Sequence, residues 1–250
     1  MPSGIPIFTF HALDEGPEPY SYPPRRFAAA IAQLAAAGFS GWPVMDLVDA
    51  LERDDAEPAR RFGVTFDDGY RSVHEHALPV LAAHDTPATV YVSFGDDPAA
   101  HGDRLPPMLG RERLSWSEMR EMGRHGIEFG AHTLTHPDLT RLPEREIERQ
   151  LVESKRRLED ALSLPVRSFA YPFGRHDRRS REIARRHFEA ALSDRLAFAR
   201  PGDDRWALPR VETYYLRSRL ALPLVSSAAL APYLALRNLP RRLRRLGSGS

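Results

Sequence analysis

The sequence predicts an α/β fold built on a mostly parallel sheet. Two observations carry this. Short apolar runs alternate with amphipathic stretches over more than 180 of the 250 residues. Residues suited to chemistry directly follow several of those runs, where parallel α/β folds place function. A third observation sets the scale: 42% hydrophobic and 28% charged residues suit one large soluble domain. An open doubly wound sheet and a barrel both meet these observations.

In chain order, the expected strands are "IPIFTF" (5–10), "RFGVTF" (61–66), "ATVYVSF" (88–94), "GIEFGAH" (126–132), "VRSFAYP" (166–172) and "HFEAALS" (187–193). The first expected helix, "RRFAAAIAQLAAAG" (25–38), ends on Gly38, which suits a left-handed C′ position. "RSVHEHALPVLAAHD" (71–85) carries Pro79, which must kink it or end its first half. "SWSEMREMGRHG" (115–126) opens with Ser115 and Glu118 at capping-box spacing. "LPEREIERQLVESKRRLEDAL" (142–162) has Pro143 near its start and sets Ile147, Leu151, Leu158 and Leu162 on one face. "DDPAAHGDRLPPMLGRER" (96–113) is a long Pro- and Gly-rich loop with the character of a lid or a substrate-binding segment.

The chain holds no cysteine, which excludes disulfides, thiolate metal sites and a cysteine nucleophile. The opening "MPSGIPIFTFHALDEG" has no basic n-region and no long apolar run, so a cytoplasmic location without a signal peptide is expected.

"VTFDDGYRS" sets Asp67 and Asp68 side by side at a strand end. A polar turn is the commoner fate of "DDG". The alternative divides the labour: one carboxylate binds a dication, and the other stays charged beside it as a general base. "GAHTLTHPDL" places His132 and His136 four apart, between Gly130 and Pro137, in a loop after a strand. Two imidazoles and a carboxylate make a facial set with open positions for water and substrate. Ten histidines give about 0.4 such pairs by chance, so the spacing alone is weak.

Together, "TFDDGY", "HTLTHPDL" and "FAYPFG" resemble the motifs of the polysaccharide deacetylase family, the NodB-homology domains of carbohydrate esterase family 4. The resemblance spans residues 5–213, and only the three motifs in combination are specific. It implies a distorted (β/α)7-8 barrel, with a catalytic domain over residues 1–215. It implies one divalent metal ion, usually zinc, with cobalt, nickel or manganese as alternatives. It further implies hydrolysis of the N-acetyl group of an amino sugar. On this sequence, Asp67 resembles the catalytic base, and Asp68, His132 and His136 the metal ligands.

The third motif departs from the commonest family pattern. Ala170 stands where an arginine often pairs with the base. Arg210 in "ALPRVET" is the candidate replacement, with Arg167 second and a plain surface arginine as the bland alternative. The backbone N–H of Phe173 maps to the oxyanion donor. The family's C-terminal histidine is absent. "FTFHALDEG" resembles instead a branch with a histidine on the first strand, which makes His11 the candidate general acid. His176 and Asp177 are runners-up, Asp177 also being a natural helix cap. Trp206 is the leading tryptophan for stacking on a sugar, although core use is commoner.

Residues 214–250 hold seven arginines and no acidic residue, which leaves 28 basic against 34 acidic residues, a net of −6, for the rest. Within this tail (216–250), the run 220–236 is uncharged and broken by two prolines, short for a membrane span. It suits peripheral contact with the inner face of a membrane, or equally a helix packed on the barrel. Nothing in the pattern suggests a nucleic-acid partner. The expected function is therefore metal-dependent deacetylation of an N-acetylated sugar. The alternatives are deformylation or deacylation of a lipid-linked sugar and, in another class, a carbohydrate-binding pseudoenzyme.

Overall fold

The computed structural model describes residues 4–17, 19–53, 60–95, 103–217 and 222–247, with side chains described for 223–238 of the last stretch. The strands are β1 (Ile7–Phe10), β2 (Ser40–Gly41), β3 (Arg61–Phe66), β4 (Ala88–Val92), β5 (Ile127–Ala131), β6 (Ser168–Ala170), β7 (Ala190–Leu196) and β8 (Leu208–Glu212). All pair in parallel, in the order β1-β8-β7-β6-β5-β4-β3-β2, and β1 also pairs with β3. That extra pairing closes seven strands into a barrel, with β2 left as a short addition to β3. The choice between open sheet and barrel is thereby decided.

Alternating strand residues enter two separate cores. Phe8, Phe10, Phe62, Val64 and Phe66 join the larger core with the surrounding helices. Ile7, Tyr91, Ala170, Leu192 and Leu208 form the smaller one, within the barrel. Room there depends on glycine. A Cβ at Gly130 would run into the Tyr91 ring, whose hydroxyl hydrogen-bonds Ser168 at 3.0 Å.

The helices are α1 (Pro24–Ala36), α2 (Val44–Glu52), α3 (Leu78–Ala83), α4 (Trp116–Arg124), α5 (Glu144–Leu162), α6 (Arg178–His187) and α7 (Leu230–Gly247). α1 ends in a Schellman turn: Phe39 N–H donates to Leu34 O at 3.0 Å and Gly38 takes φ 76. The capping box of α4 is formed. Before α3 the chain makes a π turn over Val73–Ala77, because Pro79 has no N–H with which to continue an α ladder. α2 has no counterpart in the expected elements. Val44, Met45, Leu47, Val48 and Leu51 enter the inner core. A Cβ at Gly63 would lie 2.8 Å from Leu47 Cδ1, so glycine admits this plug. Its acidic residues Asp46, Asp49 and Glu52 share one stripe, but nine residues are a short run in which to see that pattern.

The C-terminal segment packs on the barrel. Val225, Leu230 and Leu234 are buried, and Gln33 Nε2 of α1 donates to Ser226 Oγ at 2.8 Å. Among the described residues no helix is long and apolar enough to cross a membrane.

Candidate active site

A cleft of about 330 Å³ opens where the strands end. His11 follows β1, Asp67 and Asp68 follow β3, His132 follows β5, Phe173 sits in the turn after β6, and Arg210 lies in β8. Parallel strands in a barrel bring all of these ends to one rim. Phe10 and Phe66 are register partners, so His11 and Asp67 come next to each other. The Asp67 N–H donates to Phe10 O at 2.9 Å.

Asp68, His132 and His136 converge. His136 Nε2 lies 3.4 Å and His132 Nε2 3.8 Å from Asp68 Oδ1, and the three donor atoms fall within 4.8 Å of one another. Asp68 Oδ1 is buried and accepts no hydrogen bond, a costly arrangement for a carboxylate without a counter-charge. Tetrahedral ligands about 2.1 Å from a common centre lie about 3.4 Å apart. The two separations from Asp68 lie near that value, the N2O donor set is of the kind that holds a divalent ion, and the orphaned oxygen calls for one.

The imidazoles are oriented for that purpose. His132 Nδ1–H donates to Ala170 O at 2.7 Å, which turns Nε2 toward Asp68. Burial, with His132 close by, pushes the His136 pKa down to about 4, so its ring is neutral and its lone pair free. Thr133 (φ 68) and His136 (φ 55) hold left-handed conformations, which cost on the order of 1–3 kcal/mol each. Gln150 of α5 stabilises this loop. Its Oε1 accepts from Leu134 N–H and Thr135 N–H, both at 3.0 Å. Thr133 Oγ1 accepts from His136 N–H at 3.0 Å.

Asp67 is held differently. Arg210 Nη1 and Nη2 donate to its two oxygens at 2.7 and 2.8 Å, a bidentate pair that is almost wholly buried. Arg210 Nε in turn donates to Ser193 O at 3.2 Å. Burial alone would push the Asp67 carboxyl up. The guanidinium outweighs it and holds the group well below the usual carboxylate range. A guanidinium thus sits against Asp67 although residue 170 is alanine.

A family model described as polysaccharide deacetylase matches residues 54–188, more than half of the chain. The chain belongs to the polysaccharide deacetylase family. A chitooligosaccharide deacetylase of Sinorhizobium fredii (strain NBRC 101917 / NGR234) is 34% identical over 113 residues, 44% of this chain and 46% of that protein. The Bacillus subtilis (strain 168) protein YxkH is 24% identical over 184 residues, 73% of this chain and 61% of that one. The chain thus spans less than two thirds of the length of these relatives. Among solved structures, IcaB from Ammonifex degensii superposes with a TM-score of 0.77 at 26% identity, covering 92% of this chain and 98% of that one.

His11, Arg210, Tyr20, Tyr214 and Tyr215 line the cleft but fall outside the family-matched stretch. His11 meets the Tyr20 ring edge-on, with centroids 5.6 Å apart. Phe173 (φ 57) is exposed and meets the His136 ring at 4.7 Å. The glycine after it is required, since a Cβ at Gly174 would collide with Asp194.

Other expectations are corrected. Arg167 lies before β6, at the opposite end of the barrel, and pairs with Glu189 at 2.7 Å. Trp206 precedes β8 at that same end, donates to Phe188 O at 3.1 Å and lies under Arg185. Neither lines the cleft. His176 packs on Tyr171, and Asp177 caps α6, accepting from Ser180 N–H at 2.8 Å. Of the long loop, residues 103–113 pack at the same rim, against segments that follow β1, β3 and β4, where Arg111 Nε donates to Asp14 at 2.7 Å, and none of them lines the cleft. Residues 96–102 lie outside the described set.

The cleft tyrosines and Gln150 carried no signal in the sequence. Tyr20 depends on how the loop after β1 folds, and Gln150 is a polar residue on the buried face of an otherwise legible helix.

Proposed function

We propose that the protein is a metal-dependent hydrolase that removes N-acetyl groups from N-acetylglucosamine-type oligosaccharides or polysaccharides. One observation carries the reading: an Asp68–His132–His136 cluster, with Asp68 and His132 buried and His136 half-buried, carries an orphaned carboxylate oxygen and stands beside an ionised Asp67 in one cleft. The chitooligosaccharide deacetylases among the relatives support the sugar.

Asp68, His132 and His136 would hold the ion. When bound, a dication polarises the amide carbonyl and makes a water acidic enough to attack. Asp67 receives the proton of that water. Its oxygens accept from Arg210, and each keeps a further lone pair for this purpose. Arg210 fixes the direction of those lone pairs and keeps Asp67 charged. The Phe173 N–H supports the developing oxyanion. His11 gives a proton to the nitrogen as the C–N bond breaks, leaving acetate and a free amine.

Metal analysis of the full chain, joined to acetate release from chitooligosaccharide and poly-N-acetylglucosamine, tests this reading. The expected result is one equivalent of metal and acetate from at least one of the two. Formate release from an N-formylated lipid-linked sugar, without acetate from either polymer, would move the site to the deformylase alternative. Metal-free, inactive protein that still binds the sugar would make it a pseudoenzyme.

A further inference from the structure

We propose that α7 holds the protein on an anionic lipid surface, beside which the cleft opens. The proposal is independent of the reaction. Residues 214–250 carry seven arginines and no acidic group, whereas the rest of the chain has a net charge of −6. Only this segment is attracted to a negative surface, and the body is repelled by it.

The structure divides the segment into two parts. Val225, Leu230 and Leu234 are buried against the barrel, so the uncharged run is not the part that meets lipid. What remains is "LRNLPRRLRRLG" (236–247), within a helix that runs to Gly247. At 3.6 residues per turn, positions 236, 239, 243 and 246 fall on one narrow stripe, and all four are leucine. The five arginines, at 237, 241, 242, 244 and 245, take positions around the rest of the helix. Positions 230 and 234, which are buried, lie on the side away from the stripe. Leu236, which begins it, is 69% exposed. A leucine stripe with arginines about it and no acid is the composition of a helix lying in a lipid headgroup layer. Nucleic acid would engage the arginines but leave the leucines without a partner.

Two contacts set the orientation. Tyr233 Oη donates to Tyr215 O at 2.8 Å, and Tyr215 lines the cleft. Asn238 Nδ2 donates to Leu196 O at 3.3 Å, at the C-terminal end of β7. The helix is thus tied to the rim on which the cleft opens, and a surface that receives α7 lies beside the cleft mouth.

The test is co-sedimentation of the full chain with phosphatidylglycerol-containing vesicles, against vesicles of phosphatidylcholine alone. Sedimentation with the anionic vesicles at low salt, reversed by high salt, is expected. Replacing Arg241, Arg242, Arg244 and Arg245 together by Gln should lower partition by about 600-fold, since each arginine near such a surface contributes about fivefold. Replacing Leu239, Leu243 and Leu246 together by Ser keeps every charge and should lower partition about tenfold. Turnover of a soluble substrate and the melting temperature should stay unchanged in both variants, which separates loss of docking from loss of fold. Absence of sedimentation at low salt overturns the proposal. So do equal binding to uncharged vesicles and arginine-dependent binding to RNA without any binding to vesicles.

Discussion

The cleft has two walls of different origin. One comes from β3, β5 and the turn after β6, within the family-matched residues 54–188, and carries Asp68, His132, His136 and Phe173. The other comes from β1, β8 and residues 213–215, outside that stretch, and carries His11, Arg210, Tyr214 and Tyr215. The first wall is organised locally, by short loops and by a backbone carbonyl. The second exists only because β1 pairs with both β3 and β8. Asp67 belongs to the first wall by sequence and is held by the second through Arg210. Residue 170 gains freedom from this division. Its carbonyl oxygen orients His132 whatever side chain it bears, so alanine is tolerated once the guanidinium comes from β8, one strand beyond β1.

The largest expected effect joins the walls. Asp67→Asn keeps the shape of the site and removes the base, so kcat should fall by about a thousandfold or more while the metal stays bound. Full activity in that variant would remove Asp67 from the reaction.

Arg210→Met tests the second wall. It leaves a buried carboxylate unpaired, which should cost about 3–5 kcal/mol of stability at neutral pH. The pH dependence has a definite sign. In the native chain the folded pKa of Asp67 lies below its ordinary value of 3.8. The pair's contribution is therefore complete above that value and lost as pH falls through the lower folded one. Without Arg210, burial dominates and the folded pKa rises above the ordinary value. The variant should then regain part of its stability as pH falls through the carboxyl range. Urea unfolding of metal-free protein across that range reads the effect, and a pH-independent loss would contradict the pairing.

These walls were not equally legible in the sequence. Asp67, Asp68, His132 and His136 stood out because their motifs occur together in one chain, each being weak alone. Arg210 was reachable because a parallel strand must deliver its end to the same rim. The same rule places Arg167 and Trp206 at the opposite end, since both precede their strands. The left-handed backbone at Asp68, Thr133 and His136 had no signal, because no glycine marks those positions. Nor did Tyr20, whose place depends on a loop rather than on periodicity.

His11→Ala is the next test of the second wall. Loss of a proton donor to the leaving amine should lower kcat about a hundredfold, with KM little changed. Substrates with a better leaving amine should suffer less, because they need the proton less. An equal loss for all substrates would assign His11 to binding instead.

The smallest expected effect returns to the first wall and sets position against stability. Gln150 touches no metal-ligand side chain, yet its amide holds Leu134 and Thr135 between the two histidines. Gln150→Leu leaves two buried N–H groups unpaired and frees a loop whose histidine conformation is strained. Stability should fall by about 1–3 kcal/mol, and metal should bind about 10- to 100-fold more weakly. Asp177→Ala is the matched control. It removes the cap of α6, which holds none of the ligands, and should cost about 1 kcal/mol. If both variants melt earlier but only Gln150→Leu binds metal more weakly by calorimetry, the loop is held for the metal. If both lose metal affinity in proportion to stability, Gln150 is merely part of the fold.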